Sequence, residues 1–165
     1  MNPSEKIEAK IFQQATDFLA IRKQWQQTGE TVVFTNGCFD LVHRGHIDSL
    51  SKAAELGTRL IVGLNSDQSV KALKGENRPL IDQQSRAVLL ASLFMVDAVI
   101  LFDEETPYDL IKSIIPDVLV KGADYLTEEI AGYDVVLASG GKVERIVLTD
   151  GFSTTDLIEK IKTNF

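Results

Sequence analysis

A chain of 165 residues has room for one substantial core and little reason to split in two. Its 44% apolar and 25% charged content is ordinary for a folded domain and excludes collagen, coiled coil and extended disorder. A formal charge of −7 argues against non-specific binding to nucleic acid or membrane surfaces, which needs a basic face, and the single cysteine, Cys38, has no partner for an internal disulfide.

The acidity is uneven. From His43 to Arg86 there are seven Lys/Arg against five Asp/Glu, a local balance of +2, so the rest of the chain carries −9. Met1 to Lys10 is polar and carries both signs, unlike a secretory signal. The longest apolar stretch, Ala87 to Phe102, is interrupted by Ser92 and Asp97 and falls short of the ~20 residues a membrane helix needs. A cytoplasmic protein is the expectation.

In chain order, Ile11 to Gln27 places Ile11, Ala15, Phe18, Leu19, Ile21 and Trp25 near one helical face, and Thr28-Gly29 ends it. Thr31 to Thr35 is a short β-branched strand, with Asn36-Gly37 as a break. A helix over His46 to Leu56 and a strand over Arg59 to Leu64 follow, then a short helix from Asp67 to Leu73 and a loop from Lys74 to Pro79. Asp82 can cap a helix through Leu93. Strands over 97–102, 117–121 and 142–148 alternate with helices over 107–115, 128–139 and 153–162. The reading is α/β, a Rossmann-like three-layer α/β/α domain over 29–165 with a mostly parallel five-stranded sheet, preceded by a helical leader over 1–28. In such sheets ligands sit outside the carboxyl ends of the strands, near the reversal of strand order.

The first predicted strand runs into Asn36-Gly37-Cys38-Phe39-Asp40, followed by His43-x-Gly45-His46. Both histidines of the chain lie within four positions, at the start of a helix. Free N–H groups and the helix dipole at such a terminus attract phosphate, and imidazoles there can donate to its oxygens. Two exposed loop histidines are the plainer alternative. A metal site from Cys38, Asp40, His43 and His46 is disfavoured, since their spacing fits no common zinc pattern. No P-loop and no G-x-G-x-x-G fingerprint follows the strand.

These residues resemble the nucleotidyltransferase superfamily marked by H-x-G-H, whose members join a nucleoside triphosphate to a phosphorylated small molecule and release pyrophosphate. The resemblance extends through Asn65-Ser66-Asp67, Ser69-Val70-Lys71, Leu73-Lys74-Gly75, Arg78-Pro79 and Arg86. It continues through Val120 to Tyr125, Glu129 to Gly132 and Gly151-Phe152-Ser153-Thr154-Thr155, nearly the whole chain. It is similar to one branch, the D-glycero-β-D-manno-heptose 1-phosphate adenylyltransferases, often the C-terminal half of a bifunctional ADP-heptose synthase. In the related glycerol-3-phosphate cytidylyltransferases the last motif opens with an arginine; here that place holds Leu148.

The resemblance implies transfer of AMP from ATP to heptose 1-phosphate, with Mg²⁺, in a homodimer served by a separate sugar kinase. It implies His43, His46 and Lys74 as catalytic residues. The nucleotide would meet Asn36, Gly37, Cys38, Phe39, Gly45, Gly122, Asp124, Thr149, Gly151, Ser153, Thr154 and Thr155 as well as the histidines. Asp40, Lys71, Arg78 and Arg86 would meet the sugar phosphate, with Mg²⁺ riding mainly on the triphosphate and Asp40 as the one candidate side chain for it. Plainer roles exist for several: a helix cap for Ser153 to Thr155, helix-end cations for Lys71 and Lys74, an internal ion pair for Arg86. The rivals are a cytidylyltransferase acting on glycerol 3-phosphate or another alcohol phosphate, and a non-catalytic nucleotide-binding module.

Overall fold

The strands predicted from β-branched runs form one parallel sheet, and a sixth strand joins them. The structure, a computed structural model, describes residues 1–164. The strands are β1 (Ile11–Phe12), β2 (Val32–Gly37), β3 (Arg59–Asn65), β4 (Ala98–Phe102), β5 (Val118–Gly122) and β6 (Lys142–Ile146). Their order is β1-β4-β3-β2-β5-β6, every neighbouring pair parallel. The expected five-stranded sheet is thus six-stranded. The extra strand is the start of the expected leader helix: Ile11 and Phe12 pair with Val99 and Ile100. Two apolar residues in phase with the helix after them carry no local strand signal; their partner lies far along the chain. A second correction concerns Asn36-Gly37, which does not break the strand: β2 runs on to pair Gly37 with Leu64.

Alternation along the strands divides the core in two. Val32, Phe34, Ile61, Ile100 and Leu119 face one side, with Phe18, Ile111 and Val136 packed on them. Those three come from α2 (Ala15–Gln27), α6 (Tyr108–Ile114) and α7 (Tyr133–Ala138). Val33, Leu60, Val62, Val99, Val118 and Val120 face the other side, under Leu50, Ala53, Ala87 and Leu90. These belong to α3 (Arg44–Ala54) and α5 (Gln83–Ser92). Each fully buried side chain of this size contributes about 1.5–3 kcal/mol. The first 28 residues are therefore built into the sheet and its helical layer: Phe18 is fully buried, edge-to-face with Phe12 and Trp25.

The remaining elements are α1 (Pro3–Glu8), α4 (Asp67–Lys74), a single 3₁₀ turn (Thr127–Glu129) and α8 (Thr154–Asn164). The helix expected over 128–139 is split, the 3₁₀ turn preceding α7. Gly132 takes a left-handed φ of 84° between them, closing against Ile111 where a Cβ would come within 2.7 Å. Asp82 caps α5 as expected, accepting from the Ser85 N–H.

Candidate active site

The strand order reverses between β3-β2 and β5, and a cleft of about 620 Å³ opens there, outside the carboxyl ends of β2 and β5. Its floor begins with the loop after β2. Phe39 takes a left-handed φ of 46°, and its ring turns back over Gly37, where a Cβ would stand 2.9 Å from Phe39 Cε2. The same ring tilts against His46, centroids 5.1 Å apart.

His43 caps α3 in an extended conformation, and His46 lies one turn on. The imidazoles stack, centroids 3.9 Å apart and 25° from parallel. The His43 N–H donates to His46 Nδ1 at 3.3 Å. Nδ1 is then an acceptor, so the proton of neutral His46 sits on Nε2, free to donate. Burial and the neighbouring imidazole push the His46 pKa down to about 4, so the ring is neutral at pH 7. Burial also lowers the pKa of His43. Its Nδ1 is buried with no hydrogen-bond partner among the described residues, an unmet polar atom at the cleft wall. Gly45 permits this packing, because a Cβ would press on the Cβ of Phe152 at 2.9 Å and on the His43 ring at 3.1 Å.

Across the cleft lies the start of α8, where the Ser153 hydroxyl accepts from the Asp156 N–H and Thr154 Oγ1 donates to the Leu41 carbonyl. Thr149 Oγ1 donates to Asp48 Oδ2, and Lys52 Nζ to the Val147 carbonyl, tying the approach to α8 onto α3. Lys74, last residue of α4, reaches the cleft ahead of Gly75, whose φ is 99°. Arg78 lines it too, and is held by Asp40 at 2.6 Å.

The wall thus includes Asn36, Gly37, Cys38, Phe39, Asp40, His43, Gly45, His46, Lys74, Arg78, Thr149 and Ser153 to Thr155, as the sequence suggested. Five expected residues are not brought to it. Arg86 is 1% exposed and fully engaged: Nε donates to the Ile81 carbonyl, Nη1 to the carbonyls of Cys38 and Asn65, and Nη2 to Asp67. It braces the cleft from beneath, its guanidinium taken up by Asp67 and backbone carbonyls. Lys71 faces a neighbouring groove and pairs with Glu76 at 3.4 Å. Gly122 and Asp124 sit just behind the wall; the glycine makes room for the carboxylate, whose Oδ1 lies 2.6 Å from an added Cβ. Gly151 supplies a left-handed turn, φ 83°, before α8.

Asp40 does not fit a metal. Its oxygens accept from Arg78 Nε and from the N–H groups of Leu80 and Ile81. Burial alone would raise its pKa, but these donors hold it below the usual value. Among the described residues no three His, Cys, Asp or Glu side chains gather as a metal site. Cys38 is half-buried, and burial raises its pKa against the pull of Lys74, Arg86 and Arg78, so it remains a thiol. Lys121, Tyr125 and Glu129, which lie in the stretches that carry the resemblance, also line the cleft. The local signal for Lys121 was a lysine following an apolar buried run, Val118-Leu119-Val120.

Residues 34–160 match the cytidylyltransferase-like family model. The chain belongs to the cytidylyltransferase-like family. It is 55% identical over 136 residues to "Bifunctional protein HldE" of Syntrophotalea carbinolica, covering 82% of this chain and 28% of that protein. It is 52% identical over 147 residues to the protein of the same name from Azorhizobium caulinodans, covering 89% of this chain and 31% of that one. The chain thus spans roughly 30% of the length of these curated relatives. Among solved structures, the lipopolysaccharide core biosynthesis protein from Thermoplasma volcanium is similar, with a TM-score of 0.62 and 29% identity. That match covers 74% of this chain and all of the other. No helix among the described residues is long and apolar enough to cross a membrane.

Proposed function

We propose that this protein is a nucleotidyltransferase that moves AMP from ATP to heptose 1-phosphate, giving ADP-heptose and pyrophosphate. The observation that carries the reading is the stacked His43–His46 pair at the start of α3, facing the Ser153–Thr155 start of α8 across a nucleotide-sized cleft. Identity of 52–55% to the two bifunctional relatives favours the adenylyl over the cytidylyl chemistry, as does Leu148 where the glycerol-phosphate enzymes carry arginine.

The nucleophile is an oxygen of the sugar phosphate, already anionic at neutral pH, so no general base is required. It attacks the α-phosphorus; the new P–O bond forms as the α–β bridging bond breaks, and pyrophosphate leaves with that electron pair. The residues position the reactants and stabilise charge. His46 Nε2–H donates to an α-phosphate oxygen from a ring fixed by the His43 N–H. Lys74 brings positive charge over the reacting phosphates. Ser153, Thr154 and Thr155 receive the β and γ phosphates at a second helix N-terminus. Magnesium enters with the triphosphate as part of the substrate. The protein works in the cytoplasm as a homodimer, on sugar phosphate supplied by a kinase activity.

The test crosses ATP, CTP, GTP and UTP with heptose 1-phosphate, glycerol 3-phosphate and hexose 1-phosphates, reading pyrophosphate release. Turnover confined to ATP with heptose 1-phosphate is expected. Strict use of CTP, or ATP binding without any turnover, overturns the reading.

A further inference from the structure

One cation of the cleft, Lys121, has neither a carboxylate partner nor a role in the scheme above; Arg78, the other cation without a role there, is paired with Asp40. Lys121 is the penultimate residue of β5, after three buried residues, and is itself part-buried while lining the cleft. Its Nζ donates to Asn36 Oδ1 at 3.1 Å and lies 5.4 Å from the centre of the Tyr125 ring. Both partners are electrically neutral. An ammonium withdrawn from water is costly unless opposite charge accompanies it.

The buried and part-buried arginines of this chain all have that charge. Arg22 pairs with Asp117, Arg59 with Glu30 and Asp97, Arg78 with Asp40, and Arg86 with Asp67. Among the described residues no carboxylate pairs with Lys121, though Asp124 contributes to its field. Burial lowers its pKa from the usual lysine value, as expected for an ammonium without a counter-ion. The missing charge is one that a ligand can bring into the cleft.

The position selects among the anions of the reaction. In-line displacement puts the attacking oxygen opposite the leaving pyrophosphate. The scheme assigns the α-phosphate to the α3 terminus and the pyrophosphate portion to the α8 terminus. Lys121 belongs to neither: it stands on the adjacent strand, joined to the floor of the cleft through Asn36. We propose that Lys121 is a ligand for the phosphate monoester of the acceptor, the group that attacks, and that Asn36 and the Tyr125 face aim it. This assignment rests on the transferase reading above. It adds a cation on the acceptor side, where two anionic phosphates must be brought together.

The experiment compares wild type with Lys121→Met, Lys121→Gln and Lys121→Arg, measuring KM for heptose 1-phosphate and for ATP separately. Loss of a charge-assisted contact should raise the acceptor KM roughly 10- to 100-fold. The ATP KM should stay within about twofold, and arginine should restore most of the loss. An equal rise in the ATP KM would make Lys121 a triphosphate ligand, and no change in either would make it structural; both overturn the proposal. Circular dichroism and ATP titration establish that each variant folds, with glutamine as the second neutral side chain if methionine fails.

A wild type inactive on heptose 1-phosphate would defeat the transferase reading but not this one. Inorganic phosphate is then titrated by calorimetry into wild type and Lys121→Gln, both saturated with α,β-methylene-ATP and Mg²⁺. Weaker phosphate binding in the variant supports the assignment, and equal binding overturns it.

Discussion

The two helix starts that face each other across the cleft are anchored very differently. The α3 terminus is part of the core: Gly45, Leu50 and Ala53 of that helix are buried. The loop leading to it is braced by Arg86 at the Cys38 carbonyl and fastened at Asp40 by three N–H donors. The α8 terminus lacks such support. None of its described helical residues is buried, and Leu157 and Ile161 are exposed. It is joined to the rest by single bonds such as Thr154 to Leu41 and Thr149 to Asp48. The lesson is one of division. On the proposed chemistry, the wall that would hold an imidazole donor at the α-phosphorus is preset, while the wall that would grip the departing phosphates is free to adjust as they arrive and leave. Preorganised donors contribute most where charge develops; a grip that must release product gains nothing from being rigid.

The sharpest way to break that contrast is to remove the brace. Arg86→Leu strips two carbonyls of the cleft floor and Asp67 of their partner, and should cost about 3–5 kcal/mol of folding stability, read by urea denaturation. A stable Arg86→Leu protein with only a raised acceptor KM would instead return Arg86 to the substrate. Next in size is His46→Ala, expected to lower kcat by on the order of 10² by deleting one preset transition-state donor. His46→Gln, which can offer an N–H in place of Nε2, should recover part of this, and a near-normal rate in folded His46→Ala would remove His46 from the chemistry. On the opposite wall, Thr154→Val should raise the ATP KM roughly 10- to 100-fold, the worth of one hydrogen bond to a charged group. Its melting temperature should barely move, since α8 contributes little to the core. A large loss of stability there would erase the distinction between the walls.

The sequence made the preset wall readable because its chemistry is local. Asn36 to His46 is one contiguous stretch, and its two histidines, its glycines and the strand before it announce a phosphate site together. Most of the sheet was legible for the same reason, through β-branched runs punctuated by Gly, Asn and Asp. What escaped was set by distance along the chain. β1 is two residues whose pairing with β4 depends on a strand more than eighty positions away. Arg86 reads equally as ligand or strut until Asp67, Cys38 and Asn65 are seen to converge on it. Asp40 looks like a metal ligand until Leu80 and Ile81 are found filling it. Lys121 draws its meaning from what does not pair with it, and no spacing rule encodes that.

The smallest effect concerns the pH dependence of the preset wall. His46 has a pKa of about 4 in the folded protein against about 6.5 when unfolded. Below pH 6.5 the unfolded chain therefore takes up this proton more readily than the native one, so the stability associated with neutral His46 is complete above 6.5. It is lost progressively as the pH falls towards 4. His46→Asn keeps an acceptor for the His43 N–H through its Oδ1 and removes the titration. Melting temperatures of wild type and His46→Asn, followed from pH 7.5 to 5, should therefore draw together as the solution is acidified, by a few degrees at most. Both proteins share the carboxylates that also titrate, among them Asp40 and Asp82, whose pKa values lie below the usual range, so the difference between the curves reports the His46 imidazole together with its effect on the stacked His43. Parallel curves would mean that His46 is not held neutral by its surroundings. The α3 wall would then be as adjustable as the α8 wall that faces it.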